Sequence, residues 1–185
     1  IENVTVGESP SWIKEKLESV GQRSINNIVD ITNYILLDRG QPLHAFDADK
    51  IKATLALRFA KKGEKITLLD GREVELDSSI FLEADDKGPL AIAGIKGGKN
   101  EGIDEKTKNI ILVAGNFEPT MVRKASIKLG IRSDASKRFE NDLSPYLSKN
   151  ALERATSLLS EQSPKAKIGK ISEIYPKPIQ PLKFT

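Results

Sequence analysis

A single histidine is the side chain of this sequence best suited to acid–base chemistry. His44 follows Gln41 and Pro42, and imidazole is the side-chain group whose ordinary pKa lies closest to neutrality. It could bind a substrate or orient a water molecule. The sequence contains no Cys and no G-x-S-x-G motif, so it offers no recognisable nucleophile for a covalent triad. A lone histidine is also commonly structural, and the residue type alone leaves both roles open.

A glycine-rich segment, residues 94–99, ends in lysine and suggests a phosphate-binding loop. The spacing argues against one, because Ala93 stands where such a loop needs glycine and Asn100 where it needs Ser or Thr. The glycines instead predict a bend after a strand, where a ligand can approach free backbone N–H groups closely. An ordinary loop is the alternative.

Six cations fall within sixteen residues near the middle of the second half of the chain: Arg123, Lys124, Lys128, Arg132, Lys137 and Arg138. They fit either a solvated helix face or a surface that contacts a phosphate backbone. The acidic pairs at residues 85–86 and 104–105 are interpreted as turn and solubility residues.

The elements that would position these polar and glycine-rich residues are predicted in the order helices, strands, helices along the chain. A Ser9 cap with Pro10 predicts a first helix that stops at Gly21, and a second helix is predicted over residues 24–40. Asn26, Asp30 and Asn33 share one face of this second helix, where short amides and a carboxylate favour hydrogen bonding to a partner. Apolar positions of helical period line its other face at residues 28, 31 and 35.

Short apolar runs in the middle of the chain predict strands at residues 43–46, 55–59, 65–69, 73–76, 80–84, 90–95 and 110–113. Three further helices are predicted at residues 119–129, 133–139 and from the Ser144 cap to about residue 160. This order favours an α+β fold with a mostly antiparallel sheet. Residues 1–161 are predicted to form the domain, and residues 162–185 a closing strand near 167–174 and a Pro-rich linker.

Composition excludes several classes of protein. The chain has 185 residues and a net charge of +3, with 38% apolar residues and no Cys. These values exclude a disulfide framework and a low-complexity chain. No apolar run approaches the ~18 residues of a membrane span, and aromatic residues, at 5%, are too few for a base-stacking platform. A chain that opens at Ile1 is interpreted as a piece of a longer cytoplasmic protein.

Together these elements predict a pocket between Asn33, His44, the bend at residues 94–98 and the helix that begins near Ser133. The residue types alone do not identify its ligand.

Four segments, in this order, resemble the editing domain of the beta subunit of bacterial phenylalanyl-tRNA synthetase. They are SINNIVDITNY at 24–34, GQPLHAFD at 40–47, AIAGIKGG at 91–98 and SDASKRFE at 133–140. The resemblance covers residues 9–159 and implies a β-sandwich-like core flanked by helices. It also implies an activity, hydrolysis of the ester that joins mischarged tyrosine to phenylalanine tRNA.

The resemblance implies partners as well as an activity. They are the mischarged 3′ end of phenylalanine tRNA and the synthetase alpha subunit, in an α2β2 assembly without a membrane. No metal or cofactor is implied in this domain, while the synthetic site of the parent ligase uses ATP and Mg²⁺. A second site that recognises the tyrosine hydroxyl would be needed because an apolar pocket rejects an added hydroxyl poorly.

Residue by residue, the resemblance assigns Thr32, Asn33 and His44 to the substrate and the terminal adenosine. Gly94 and Gly97 match glycines whose backbone lines the amino-acid pocket. Ser133 stands where the family usually has Thr, and Ala135 matches a small residue that leaves room for the ring.

Val113 departs from the family pattern, which has Glu at this position to accept a hydrogen bond from the tyrosine hydroxyl. The flanking Asn109 and Pro119 support the alignment. A buried hydroxyl without a partner costs about 1–3 kcal/mol, and a charge-assisted bond contributes ~1.5–3 kcal/mol. We therefore expect a loss of ~10²-fold or more in preference for tyrosine.

Three functions remain open from the sequence. The first is an editing hydrolase weakened by Val113, in which water attacks the ester without a side-chain nucleophile. The second is a non-catalytic module of the same synthetase that supports assembly and tRNA docking. The third, a separate RNA-binding protein of the same fold, fits the motifs least well.

Overall fold

The computed structural model describes residues 1–52 and 54–174, which form an α+β fold with antiparallel strands. The predicted fold class is confirmed. The five helices are α1 (Ser11–Ser19), α2 (Asn27–Arg39), α3 (Pro119–Leu129), α4 (Asp134–Phe139) and α5 (Tyr146–Gln162). The eight strands are β1 (His44–Asp47), β2 (Ala56–Phe59), β3 (Lys65–Thr67), β4 (Glu73–Glu75), β5 (Phe81–Ala84), β6 (Pro89–Ile92), β7 (Lys96–Gly97) and β8 (Ile110–Val113).

The strands divide among three small antiparallel sheets. Strands β1 and β8 form one pair, β3 and β4 form a hairpin, and the largest sheet has the order β2-β5-β6-β7. An isolated bridge between Leu68 and Gly98 joins the hairpin to the end of β7. The sheets therefore meet around the glycine-rich segment.

Two apolar cores hold the helices in place. Helices α1, α2 and α5 share a core with β1 and β8, and its fully buried members include Ile13, Leu17, Ile28, Ile31, Ile35 and Ala155. Helices α3 and α4 pack on the four-stranded sheet through Leu82, Ile92, Val122, Ala125 and Phe139. The predicted apolar stripe of α2 is confirmed because Ile28, Ile31 and Ile35 are all buried.

Helix α2 begins at Asn27 rather than at the predicted Ser24, because the Asn26 side chain accepts bonds from the Ile28 and Val29 N–H groups. The predicted cap at Ser9 is wrong. The Ser9 hydroxyl donates instead to Asp30, at 2.5 Å, and thereby ties the start of α1 to α2. The predicted stops at Gly21 and Gly40 are confirmed by their left-handed φ angles of 78° and 73°.

The structure shortens two other predicted elements. The run at residues 90–95 is not one strand, because β6 ends at Ile92 and a turn leads into β7. The predicted strand near 167–174 is reduced to a bridge between Glu2 and Lys167. The predicted Pro-rich linker that follows this strand, residues 175–185, lies outside the described residues. No described helix is long and apolar enough to cross a membrane.

Candidate functional site

A cavity of about 100 Å³ lies where the β1–β8 pair faces the four-stranded sheet and α4. Its lining includes Leu43, His44, Glu83, Ala91, Ile92, Gly94, Ile95, Gly97, Val113, Phe117, Ala135 and Phe139. Most of these side chains are apolar. The volume has the scale of one aromatic ring, since an engineered cavity of roughly 150 Å³ binds benzene.

His44 is the first residue of β1, where antiparallel pairing places it opposite Val113 of β8. Its half-buried ring packs edge-on against Phe46, with ring centroids 4.3 Å apart. Burial lowers the pKa of His44 from 6.5 to about 4. The imidazole is therefore neutral at physiological pH, and its two nitrogens can accept one hydrogen bond and donate another.

Gly97 is the residue on which the His44 ring rests. A Cβ added there would lie 2.6 Å from His44 Cε1 and 3.1 Å from Nε2. Only a glycine leaves room for the imidazole at this position in the present arrangement. The structure thus brings together His44 and Gly97, which the sequence resemblance assigned to one pocket.

Gly94 forms the turn between β6 and β7 with a left-handed φ of 70°. A Cβ there would lie 2.9 Å from a ring carbon of Phe117 and 3.1 Å from one of Phe139. The two rings pack edge-to-face, with centroids 5.0 Å apart, and both line this end of the cavity. The predicted glycine bend after a strand is confirmed.

Ser133 fixes the bend from outside the cavity lining. Its hydroxyl accepts a bond from the Ser136 N–H at 3.0 Å and donates to the Ile95 carbonyl at 2.6 Å. The first contact caps α4, as predicted, and the second ties α4 to the turn. Ala135, the second residue of α4, lines the cavity itself.

Thr32 and Asn33 are absent from the described residues that line the cavity. The Thr32 hydroxyl donates to the Val29 carbonyl within α2, at 2.7 Å. The polar face of α2 is also partly internal, since fully buried Asp30 accepts bonds from Ser9, Ser24 and the Ile25 N–H. The predicted binding of a partner by Asp30 is wrong, because its carboxylate is buried and bonds within the chain. The side-chain oxygen of Asn26 caps α2.

Glu83 lines the same cavity and was missed by the sequence analysis, which treated residues 80–84 only as an apolar strand. The side chain is 5% exposed. Burial raises the pKa of Glu83 from 4.5 to about 7. Within the described part of the chain, no group donates a hydrogen bond to this carboxylate.

The cavity can bind a ring and place a neutral imidazole beside it. The described lining contains no Ser, Thr or Cys side chain that could serve as a nucleophile. In residues 1–52 and 54–174, no group of three or more His, Cys, Asp or Glu residues could hold a metal ion. A neutral imidazole in this lining can orient a water molecule by a hydrogen bond.

The basic cluster lies on α3, α4 and the loop between them. Lys128, Arg132 and Lys137 form ion pairs with Asp77, Glu140 and Asp134. Arg123, Lys124 and Arg138 are exposed and form no ion pair with any described residue. Half of the predicted basic surface is therefore available to a phosphate backbone.

Comparison with known proteins gives a consistent set of relatives. A sequence profile of the B3/4 domain matches residues 1–164. The phenylalanine–tRNA ligase beta subunit of Carboxydothermus hydrogenoformans is 47% identical over 182 residues, which cover 98% of this chain and 23% of that protein. The phenylalanine–tRNA ligase beta subunit of Aquifex aeolicus is 46% identical over 183 residues, 99% of this chain and 24% of that protein.

A solved structure is also similar, an N-terminal fragment of the phenylalanyl-tRNA synthetase beta subunit from Pyrococcus horikoshii. It has a TM-score of 0.45 and 20% identity, over 70% of this chain and 43% of the fragment. This likeness is too distant to support a conclusion. The chain spans about a quarter of the length of the two curated relatives it matches.

Proposed function

We propose a function on the premise that this chain belongs to the B3/4 domain family, as a domain of a phenylalanine–tRNA ligase beta subunit. The sequence resemblance to that subunit is confirmed by the profile match and by the relatives. Our proposal is that the domain edits tRNA: it hydrolyses the ester of tyrosine mischarged onto phenylalanine tRNA.

The observation that carries this proposal is the neutral imidazole of His44, which rests on Gly97 in the lining of a cavity the size of one ring. A ring in the cavity would bring the ester carbonyl toward His44. There the imidazole can hold a water molecule by a hydrogen bond. Water adds to the carbonyl carbon, the ester C–O bond breaks, and the released ribose oxygen takes the proton.

The parent enzyme supplies the substrate in this proposal. Its alpha subunit contains the synthetic site, which uses ATP and Mg²⁺ and sometimes attaches tyrosine instead of phenylalanine. The α2β2 assembly presents the mischarged 3′ end to the cavity. A separate site of this kind is useful because the energetic penalty for one additional hydroxyl in an apolar synthetic pocket is small.

The proposal is tested by deacylation of tyrosyl-tRNA specific for phenylalanine, using the assembled parent enzyme. His44→Ala should lower the rate by ~10²-fold or more, the usual contribution of a positioned acid–base group. Gly97→Ala should lower it by ten-fold or more, since its Cβ would displace the His44 ring, which lies 2.6 Å away.

Gly7→Ala is the matched control, because a Cβ at Gly7 would meet nothing within 4 Å. Charging with phenylalanine should be unchanged in all three variants, which shows that the enzyme assembles. Deacylation by His44→Ala at the wild-type rate would contradict the proposed function.

A second candidate function is a non-catalytic module that supports assembly and tRNA docking. The observation that favours it is Val113, which lines the cavity and accepts no hydrogen bond. Deacylation by Val113→Glu but not by the wild-type enzyme would establish this alternative. Equal rates in both would show that another residue recognises the hydroxyl.

A further inference from the structure

Glu83 is the only acid among the described residues that line the cavity. We propose that its carboxylate accepts a hydrogen bond from the phenolic hydroxyl of the tyrosyl group and so determines specificity from β5 rather than from β8. This inference rests on the proposed editing function, because it assigns a recognition role at the same cavity.

The strand register places Glu83 in line with the residues that position His44. Glu83 of β5 is opposite Ala91 of β6, and Ala91 is opposite Gly97 of β7. Cross-strand partners of this kind direct their side chains to the same face of a sheet. The row therefore runs from the carboxylate, across a methyl group, to the glycine that supports the imidazole.

This row defines a slot with a different polar group at each end. Neighbouring strands lie about 4.8 Å apart, so the backbones of Glu83 and Gly97 are separated by roughly 10 Å. That span is comparable to the length of a tyrosyl group. A ring lying over Ala91 would place its hydroxyl toward Glu83 and its ester toward His44.

The walls beside this slot favour an aromatic ring. Val113, Phe117 and Phe139 line the cavity with apolar surface. The one cation in the described lining, Lys96, is already paired with Asp70 at 2.6 Å. None of the described residues donates a hydrogen bond to the Glu83 carboxylate, so this group can accept one from a ligand.

A phenylalanyl group would fill the same slot but would leave the carboxylate without a donor. Beside a phenylalanyl ring the carboxyl keeps its proton, whereas the tyrosyl hydroxyl would stabilise the ionised form by a charge-assisted hydrogen bond. The difference favours binding of the mischarged tyrosyl group over the phenylalanyl group. Val113 removes a hydrogen-bond acceptor for the tyrosine hydroxyl from one wall of the cavity. Glu83 supplies such an acceptor from the other sheet.

The test compares cleavage of tyrosyl- and phenylalanyl-tRNA by the assembled parent enzyme. The measured quantity is the ratio of the two kcat/KM values. Glu83→Leu should lower this ratio by about 10- to 100-fold, the value of one charge-assisted hydrogen bond. Glu83→Gln keeps the shape and loses the charge, so its ratio should fall less.

Glu75→Leu is the control, because Glu75 is exposed on β4, outside the cavity. Its ratio should equal that of the wild type. Double substitution to Glu83→Leu with Val113→Glu should restore preference for tyrosine, since an acceptor then returns to the facing wall.

The outcomes separate this inference from the proposed function. If the wild type prefers tyrosyl-tRNA and both Glu83→Leu and Glu83→Gln keep the same ratio, the role of Glu83 is overturned. The editing function is then left intact. A wild type that cleaves neither ester would overturn both. If Glu83→Leu does not assemble, as judged by lost charging with phenylalanine, the Glu83→Gln ratio decides.

Discussion

Burial moves the pKa values of Glu83 and His44 in opposite directions. The same loss of water raises the pKa of the carboxyl to about 7 and lowers the pKa of the imidazole to about 4. Burial disfavours the charged form of each group. At neutral pH the cavity therefore contains a neutral imidazole and a carboxyl close to its point of half-ionisation.

This pKa displacement predicts how stability depends on pH. The folded state binds the Glu83 proton more tightly than the unfolded state, so stability from this group is present below pH 4.5 and is lost as the pH rises toward 7 and beyond. Glu83→Gln removes this dependence. The free energy of unfolding of the variant minus that of the wild type should therefore be roughly 2–3 kcal/mol larger at pH 8 than at pH 5.

Urea unfolding of wild type and variant at the two pH values measures this gain. His44 has the opposite dependence, with stability lost as the pH falls through 6.5 toward 4, but it is present in both proteins and cancels. Glu75→Gln, at an exposed carboxylate, should show no comparable gain. A gain below 0.5 kcal/mol for Glu83→Gln would mean that the carboxyl is hydrated in solution.

The family resemblance assigns eight residues to one pocket. The structure brings His44, Gly94, Gly97, Val113 and Ala135 to one cavity, while Thr32, Asn33 and Ser133 are not among its described lining residues. Glu83 could not be found in the same way. A charged residue within a short apolar strand usually points to solvent. Its burial depends on β1 and β8 covering that face, and this contact joins segments distant in the sequence.

At the scale of secondary structure, three serines that precede helices are all predicted to cap them, but only one does. Ser133 caps α4 through its hydroxyl, whereas α1 and α5 begin without any side-chain cap bond despite the preceding Ser9 and Ser144. Local pattern predicts where these helices start. It does not predict which hydroxyl bonds the helix and which, like Ser9, bonds a distant carboxylate.

Ser133→Ala should therefore destabilise the chain by about 1–2 kcal/mol, because it removes a helix cap and the bond to the Ile95 carbonyl together. Ser144→Ala should change stability by less than about 0.5 kcal/mol, since Ser144 is exposed and caps nothing. Chemical denaturation of both variants measures the contrast. Equal losses would contradict the assignment of Ser133 as the link between α4 and the bend.

At the scale of the whole molecule, the cations of the basic cluster without a described ion-pair partner make one part of the surface positively charged. Arg123 and Lys124 are exposed on α3, and Arg138 is exposed on α4, the helix that lines the cavity. Phosphates of a bound nucleic acid would be neutralised by such side chains, with release of counterions. The net charge of +3 by itself does not indicate this local surface.

Replacing Arg123, Lys124 and Arg138 together by Gln should weaken tRNA binding by the parent enzyme. It should also reduce the slope of log affinity against log salt by about 2, at ~0.7–0.9 for each lost phosphate contact. The control replaces exposed Lys16, Lys106 and Lys165, which changes the net charge equally. An equal change in slope for both triple variants would contradict docking on α3 and α4.

The bridge between Glu2 and Lys167 has a consequence for modular architecture. Two backbone hydrogen bonds, of 2.9 and 2.8 Å, join these residues side by side. Residues 2 and 167 therefore lie side by side, although they are far apart in the sequence. Insertion of residues 2–167 into a surface loop of another protein would keep the flanking segments of the recipient together.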